Sequence, residues 1–265
     1  MWIGYAERSR TAFTTAETLF NSKAIRKAND METKITSVYD EGALVGTQLI
    51  GAKGFSVLIE TAGSKILFDT GRRGRYLMHN MAVLGIEPDD IGKVVISHGH
   101  TSHTGGIRDL LEERSSSLNI YAPRSAAGAG KAFGPKGIRI PKDLSERADV
   151  YEVNDWMEIS EKVFVSPPMD IAGDLSEVFM VIMARKGPAV ISACSHAGVD
   201  KVMEEVKKRF GSYPRTYIGG VHIGKKEKEK AKAIAAAFSE RDCSNLYLNH
   251  CTGIKGMTGL RAELG

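Results

Sequence analysis

Hydrophobic and polar residues alternate over short intervals from Lys34 onward, and this pattern predicts strands. The runs KITSVYD, FSVLIET and KILFDTG are rich in Ile, Val, Leu and Phe and are bounded by Gly, Asp and Ser, as is typical of strands joined by turns. The clearest predicted hairpin is FSVLIETAGSKILFDTG, with Ala62, Gly63 and Ser64 at its turn. Further strands are predicted in KVVISHGH, VYEVN, KVFVS, EVFMVIMA, PAVISACSH, RTYIGGVHIG and NLYLNHCTG.

Helical periodicity separates several of these strands. Leu77, Met81 and Leu84 fall on one face of a predicted helix that ends at Gly85. Three more helices are predicted in TGGIRDLLEE, in residues 199–210 and in residues 226–240, whereas residues 122–141 are too rich in Ala, Gly and Pro to assign. Two β-rich halves with helices outside them predict an α+β fold, a four-layer αββα sandwich.

The first thirty residues have a different character from the rest. Thr14 or Thr15 can cap a helix that runs to about Lys27. We therefore predict an N-terminal helical extension over residues 1–30 and one domain over residues 31–265. The sequence leaves open whether the extension packs on the domain, covers a groove or contacts a partner.

Composition narrows the class of protein. The 265 residues are 42% hydrophobic and 26% charged, with a net charge of +4, as in ordinary globular proteins. The run KKEKEKAK at 225–232 alternates Lys and Glu and indicates a solvated helix face, so no nucleic-acid partner is expected. No window approaches the roughly 18 apolar residues of a membrane span, and no membrane partner is expected. The three cysteines form no paired framework, which favours a cytoplasmic location. Homo-oligomerisation is left open.

Six of the seven histidines follow the ends of apolar runs and lie beside small residues. These are His98, His100, His103, His196, His222 and His250. Side chains at strand ends can point into a shared cleft, so the six histidines predict a single site.

Metal chemistry explains the spacing of the first three histidines. His98 and His100 are two residues apart, and side chains at that spacing on an extended strand point the same way and can bind one ion. A turn beginning at Thr101 lets His103 approach the same ion or a second one. Imidazole favours Zn²⁺ and also suits Fe or Mn. We therefore expect one or two ions, with zinc as the first choice.

The motifs FDTG at 68–71 and HGHTSH at 98–103, followed by TGG, resemble those of the metallo-β-lactamase superfamily. The motifs ITSVYDEG, GFSVLIET, ILFDTG, SHGHTSHTGG, SACSH, YIGGVH and NHCTG also occur in the order seen in one subgroup. That subgroup contains dihydropterin-linked ribofuranosylaminobenzene phosphate synthase-like metal-dependent hydrolases, and the resemblance covers about residues 33–255. It implies an αββα fold with a metal site at one edge of the sandwich.

The resemblance also implies roles for individual residues. His98 and His100 correspond to the first metal position, His103 and His250 to the second, and His196 is a further ligand. In the same scheme Asp69 supports the histidine loop without binding the metal. Superfamily members often carry a bridging Asp, or sometimes Cys, at a strand end comparable with that of Cys194. We rank Cys194 below His196 as a ligand, because a buried thiol more often has a packing role.

Ser102 departs from the superfamily pattern, which has a metal-binding Asp at this place. A Ser is neutral, shorter and a poor ligand, so His222 or a water relay would take over proton transfer, and we treat His222 and Ser102 as catalytic candidates. The spacing alone leaves His222 open as a ligand, a proton donor or a substrate contact. Arg72 and Arg73 follow FDTG and either receive an anionic group or form a solvated loop.

Three functions remain open from the sequence. The first is a metal-dependent hydrolase that uses a metal-activated water on an ester, lactone or phosphoester in a small, anionic or phosphorylated substrate. The second is a catalytically impaired binding or sensory protein on the same fold, which Ser102 favours. The third and weakest is a member of the superfamily's redox branch, which holds a di-iron site and works with a flavin domain.

Overall fold

The computed structural model describes residues 3–5, 33–61, 63–127, 137–171, 175–223 and 227–265. The strands are β1 Ile3–Tyr5, β2 Lys34–Tyr39, β3 Ser56–Thr61, β4 Ser64–Phe68, β5 Lys93–Val95, β6 Leu118–Pro123, β7 Ala148–Val153, β8 Met157–Ser160, β9 Val163–Val165, β10 Met169–Asp170, β11 Ser176–Glu177, β12 Met180–Ala184, β13 Gly187–Ser192, β14 Thr216–Gly219 and β15 Asn245–Leu248. The α-helices are α1 Gly74–Val83, α2 Thr101–Thr104, α3 Ile107–Glu112, α4 Arg124–Ala127, α5 Val199–Phe210, α6 Glu227–Glu240 and α7 Gly253–Leu264. Short 3₁₀ turns occur at Pro88–Asp90, Lys142–Arg147 and His250–Thr252.

The strands form two large sheets and one small pair. The first sheet has the order β2-β3-β4-β5-β6-β7, and β4 to β7 run parallel. The second sheet has the order β1-β15-β14-β13-β12-β9-β8, with β13, β14 and β15 parallel. Strands β10 and β11 pair only with each other. The predicted hairpin is present as the antiparallel pair β3 and β4, and Gly63 in its turn has a φ of 87°.

Alternation along the strands produces four layers. In β3, Val57 and Ile59 face the core between the two sheets, whereas Leu58 packs with helices α1 and α3 on the outer face. In β12, Met180 faces the same inner core, and Val181 packs outward with α5 and α6. A period of two places successive side chains on opposite faces, so each sheet buries both of its faces. The predicted αββα sandwich is therefore confirmed.

The two ends of the chain add elements beyond the sequence prediction. The predicted helix from residue 14 or 15 to about 27 lies outside the described residues, but Ile3–Tyr5 pairs antiparallel with β15 at the edge of the second sheet. Helix α7 was not predicted, and Gly256 and Gly259 weaken its intrinsic helical propensity by about 1 kcal/mol each. Close packing against α6 explains why position 259 is a glycine, because a Cβ on Gly259 would lie 3.3 Å from the Cβ of Ala231 on α6.

The parallel strands place their carboxyl ends at one edge of the sandwich. In α/β sheets this is the edge where loops carry binding residues. No helix among the described residues combines the length and apolar character needed to cross a membrane.

Candidate metal centre

The loops after five strands meet at this edge of the sandwich. Asp69 follows β4, the HGHTSH segment follows β5, and Cys194 with His196 follows β13. His222 follows β14 and His250 follows β15. The ring centroids of His98 and His196 are 4.9 Å apart, those of His103 and His250 are 5.0 Å apart, and those of His196 and His222 are 4.3 Å apart. The predicted single site is therefore a physical cluster of side chains.

Unusual backbone conformations mark the same edge. Asp69, Ser195, His222 and His250 adopt positive φ values of 61°, 56°, 44° and 46°. Such conformations are costly for residues other than glycine and concentrate at functional sites, where the surrounding structure holds them in place. They turn the chain sharply after each strand and direct the following side chains to the centre.

Asp69 fixes the orientation of two histidines. It is fully buried, and its Oδ2 lies 2.7 Å from Nδ1 of His103 and accepts a 2.7 Å hydrogen bond from the Ser97 hydroxyl. That hydroxyl lies 2.9 Å from Nδ1 of His98, and the Ser97 backbone N–H donates to Oδ1 of Asp69 at 2.7 Å. With Nδ1 of each ring engaged on this side, Nε2 of His98 and of His103 carries the lone pair toward the cluster.

Glu177 holds the loop that carries Cys194 and His196. Its Oε1 accepts the backbone N–H groups of Cys194 at 2.9 Å and Ser195 at 3.1 Å, and its Oε2 accepts that of His196 at 2.7 Å. Glu177 is 4% exposed, so three backbone donors compensate for burying a carboxylate. The loop geometry thus depends on a side chain from β11.

Two acidic residues after β2 hold the third part of the site. Asp40 accepts the backbone N–H of His250 at 3.0 Å through Oδ1, and Oε1 of Glu41 lies 3.4 Å from Nδ1 of that imidazole. Asp40 and His250 are both buried. This contact joins residues 210 positions apart and ties the first sheet to the end of β15.

Burial keeps three of the imidazoles neutral. It lowers the pKa of His98 and of His103 well below the usual value and lowers that of His196 to about 3. For His250 burial is the largest effect and lowers the pKa, but Glu41, Cys251 and Asp40 together outweigh burial, and the net pKa is raised. Neutral imidazole is the form that binds metal, so three of these rings are ready to act as ligands.

The pKa values of two carboxyl groups and two thiols in the site are shifted as well. Burial raises the pKa of Asp69 to about 8 and that of Glu177 to about 7, against the lowering effect of the backbone groups that donate to them. Burial also raises the pKa of the Cys194 thiol. For Cys251 burial opposes ionisation, but hydrogen bonds from Cys194 and His222 outweigh it and lower the pKa well below its usual value. Such perturbations are typical of functional sites.

The donor atoms converge in three groups, in each of which all the atoms lie within 4.8 Å of one another. The groups are His98, Cys194 and His196; His103, Cys194 and His250; and Cys194, His222 and Cys251. His100 adds Nδ1 at 2.9 Å from Nε2 of His98. Nε2 of His196 is buried with no hydrogen-bond partner among the described residues. Nitrogen and sulfur donors at these separations fit a zinc-class ion.

The remaining predicted residues lie on segments next to those that carry the clustered side chains. Ser102 lies on α2 and is partly buried, and its carbonyl oxygen accepts the backbone N–H of Phe55 at 3.2 Å. Arg72 and Arg73 are exposed between β4 and α1. Cys194 was ranked as a weak ligand from the sequence, yet its Sγ is common to all three donor groups and lies 3.5 Å from Nε2 of His103.

The sequence interpretation missed Glu177, Asp40, Glu41 and Cys251. Nothing in the runs EVFMVIMA or ITSVYDEG distinguishes a carboxylate that supports a loop from one that faces solvent. Cys251 could have been identified from the sequence as a candidate site residue, because it directly follows His250 in NHC.

Comparison with known proteins agrees with this architecture. A family model described as the metallo-beta-lactamase superfamily matches residues 50–203. The 7,8-dihydropterin-6-methyl-4-(beta-D-ribofuranosyl)-aminobenzene-5'-phosphate synthase of Methanocaldococcus jannaschii is 23% identical over 261 residues, which cover 84% of this chain and 88% of that protein. An uncharacterised protein of the same organism is 27% identical over 227 residues, covering 78% and 86% of the two chains.

A solved structure supports the fold. The crystal structure of a metal-dependent hydrolase of the β-lactamase superfamily matches with a TM-score of 0.72 at 24% sequence identity, over 88% of this chain and 93% of that chain. The chain belongs to the metallo-β-lactamase superfamily, and within it to the subgroup that contains ribofuranosylaminobenzene phosphate synthase-like proteins.

Proposed function

We propose that the protein is a metal-dependent hydrolase that acts on an ester, lactone or phosphoester in a small molecule. The observation that carries this proposal is the convergence of the imidazoles and the Cys194 thiol at the ends of parallel strands. Histidine clusters aligned by a buried carboxylate are the usual frame of hydrolytic metal sites.

Two of the donor groups would hold the metal. His98 and His196, with His100 beside them, would form the first position, and His103 with His250 the second. Cys194 lies in both groups, and we propose that its thiolate supplies the ligand that Ser102 does not. A divalent ion at such a site polarises the substrate and makes bound water acidic near neutral pH. A sulfur ligand favours zinc over Fe or Mn.

A neighbouring cleft supports a small-molecule substrate. Its volume is about 550 Å³, within the range of ligand pockets, and its lining includes Trp156, Met169, Ala197, Lys201 and Arg209. Ala197 directly follows His196 in the chain, so the cleft borders the loop that carries this histidine. The lining carries three cations of α5 and three acidic side chains, Asp155, Asp170 and Glu205, so its charge is balanced. The proposal of an anionic substrate rests instead on a similar protein that is named as a phosphate synthase. Arg72 and Arg73 remain candidates for a second anionic contact.

The proposed proton-transfer roles of His222 and Ser102 rest on how exposed each side chain is. His222 is exposed at the mouth of the cluster, where a general acid could protonate a leaving group. Ser102 is partly buried on α2 and would act by hydrogen bonding to water, since its hydroxyl is a weak base.

A second candidate function is a binding or sensory protein with little catalysis. Ser102 favours it, because a neutral hydroxyl replaces the carboxylate that orients the attacking water elsewhere in the superfamily. Replacing this residue in Ser102→Asp separates the two functions, because it restores the carboxylate.

The decisive experiment combines metal analysis with a substrate panel. The purified chain is loaded with zinc, metal per monomer is measured, and lactones, phosphomonoesters and phosphodiesters are assayed before and after chelation. We expect bound zinc, hydrolysis that chelation and His98→Ala abolish, and a change in kcat of less than about tenfold in Ser102→Asp, since a tenfold change equals only about 1.4 kcal/mol in the barrier. A large gain in Ser102→Asp would favour the impaired protein, and failure to bind metal under any loading condition would contradict the hydrolase function.

A further inference from the structure

We propose that Cys194, His222 and Cys251 form an additional metal position on the solvent side of the histidine cluster, which takes a thiophilic cation of the zinc class. The two sulfur atoms and a ring nitrogen of His222 all lie within 4.8 Å of one another. Cys194 is buried, Cys251 is partly buried and His222 is exposed, so the position extends from the protein interior to the mouth of the site.

The backbone leaves room for the Cys251 sulfur at this place. Its Sγ lies 3.8 Å from the carbonyl oxygen of Cys194 and 3.9 Å from that of Ala193. A Cβ on Gly220 would come within 2.4 Å of both this sulfur and the Ala193 carbonyl oxygen. Only glycine at position 220 therefore allows the chain directly after β14 to pass so close to Cys251.

The setting of Cys251 differs from that of an ordinary packing cysteine. Cys243, the third free thiol, is buried in the apolar cluster formed by the outer face of the second sheet and its helices. The Cys251 sulfur instead lies near two backbone carbonyl oxygens and within 4.8 Å of a ring nitrogen of His222. His222 also holds a positive φ of 44°, a strained conformation that places its ring beside His196 and near both sulfurs.

The donor set indicates which ions would bind. Two thiolates and one imidazole select Zn²⁺, Cd²⁺ or Cu⁺ over Mg²⁺, Ca²⁺ and Mn²⁺. Three protein ligands would leave the fourth tetrahedral place open for water or another ligand. Thiolate is the ligating form, so binding releases any proton that either sulfur still carries. With the ion bound, His222 is a ligand and no longer a proton donor.

The proposal stands apart from the hydrolase function, because thiolate ligation is measured without a substrate. Metal-free protein is titrated with Co²⁺, and the thiolate-to-cobalt charge-transfer absorption is compared among the native chain, Cys251→Ser, His222→Ala and the control Cys243→Ser. We expect Cys251→Ser to lose a measurable part of the absorption, less than half, because the Cys251 thiolate is gone while Cys194 remains a ligand in the other donor groups. His222→Ala should weaken cobalt affinity about tenfold or more, since loss of even an outer partner of a ligand costs that much. Cys243→Ser should match the native chain.

Thiol alkylation provides an independent measurement that a folding defect would not imitate. In the native chain, zinc is expected to slow alkylation of Cys251 by iodoacetamide at least tenfold, and in His222→Ala the same zinc concentration should protect Cys251 less. Circular dichroism verifies that each variant is folded. Two results together would overturn the proposal and leave Cys194 as the only sulfur ligand. The first is the same charge-transfer absorption in folded Cys251→Ser, in folded His222→Ala and in the native chain. The second is equal alkylation of Cys251 in His222→Ala and in the native chain.

Discussion

Glu177 accepts the backbone N–H of His196 at 2.7 Å through Oε2 while its Oε1 accepts those of Cys194 and Ser195. One buried carboxylate thus fixes three consecutive residues of the loop that follows β13. Since two of the three are candidate ligands, the shape of the site depends on a residue that contacts no metal. Stability and metal binding should therefore change together when Glu177 is altered.

Glu177→Gln should weaken both the stability of the protein and its binding of metal. A glutamine amide has one acceptor oxygen and one NH₂ group, and the NH₂ group would face a backbone N–H donor. We expect a loss of about 1.5–3 kcal/mol in the free energy of unfolding and about tenfold or more in zinc affinity, measured by urea denaturation and calorimetric titration. Glu158→Gln is the matched control, because the Glu158 side chain is exposed and accepts one backbone N–H, that of Lys162. Equal zinc affinity in Glu177→Gln and the native chain would refute the positioning role.

Asp69→Asn should block one ligand by changing its tautomer. The asparagine NH₂ group would donate to Nδ1 of His103, which moves the ring proton to Nε2, the nitrogen that faces Cys194. Asparagine also tolerates the positive φ at this position, so the chain should still fold. Metal per monomer should fall, and nitrogen-15 NMR of the histidine rings should report the new tautomer of His103.

The control for this substitution is Asp89→Asn, at an exposed carboxylate that accepts hydrogen bonds from Ser115 and Ser116. It should leave the metal content unchanged. Native metal content in Asp69→Asn, together with an unaltered His103 tautomer, would show that the carboxylate does not set the ligand geometry.

The sequence predicts most of the fold because its strands carry strong local signals. Alternation in FSVLIET and KILFDTG, with a glycine turn, specifies β3 and β4 as a hairpin, and the helical stripe of residues 199–210 matches α5. Helix α7 escaped prediction because its glycines oppose helix formation and only contact with α6 compensates. Tertiary packing, which a linear pattern does not contain, decides such elements.

The site is predictable to a similar degree. Histidines are scarce, so their placement at strand ends indicated a shared cluster, and parallel strands bring those ends together. Supporting residues are different: Asp40 reaches His250 from 210 positions away, and no local pattern encodes that contact. Cys194 was ranked below His196 because packing is the commoner role of a thiol, whereas its central place among three donor groups exists only in the folded chain.

Metal removal should lower the thermal stability of the protein. A ligand that binds only the folded state at about 100 times its dissociation constant adds about 2.7 kcal/mol. For a chain of this length that gain corresponds to about 5–10 °C in Tm, measurable by scanning fluorimetry with and without a chelator. His98→Ala supplies the control, since its Tm should respond less to zinc. An equal zinc-dependent shift in both proteins would show that the stabilising ion is not bound by His98.

Asn80 on α1 should prove important both for stability and for the His250 side of the site. Its Oδ1 accepts the backbone N–H of Ile50 at 2.8 Å, and its Nδ2 donates to the carbonyl oxygens of Val38 at 2.9 Å and Ile50 at 3.0 Å. These bonds hold both ends of the segment that includes Asp40, which in turn accepts the backbone N–H of His250.

Asn80→Ala leaves buried backbone groups without partners and should cost about 2–4 kcal/mol in the free energy of unfolding. Asn80→Asp should also destabilise the protein, because a carboxylate oxygen would then face two carbonyl oxygens. Asn154→Ala, at an exposed position, is the control and should be neutral within about 0.5 kcal/mol. In folded Asn80→Ala, Asp40 would lose its fixed position. Zinc titration should therefore show a larger loss of affinity, relative to the native chain, at the His103 and His250 position than at the His98 and His196 position. Equal loss at both positions would mean that Asn80 acts on the fold as a whole and not through Asp40.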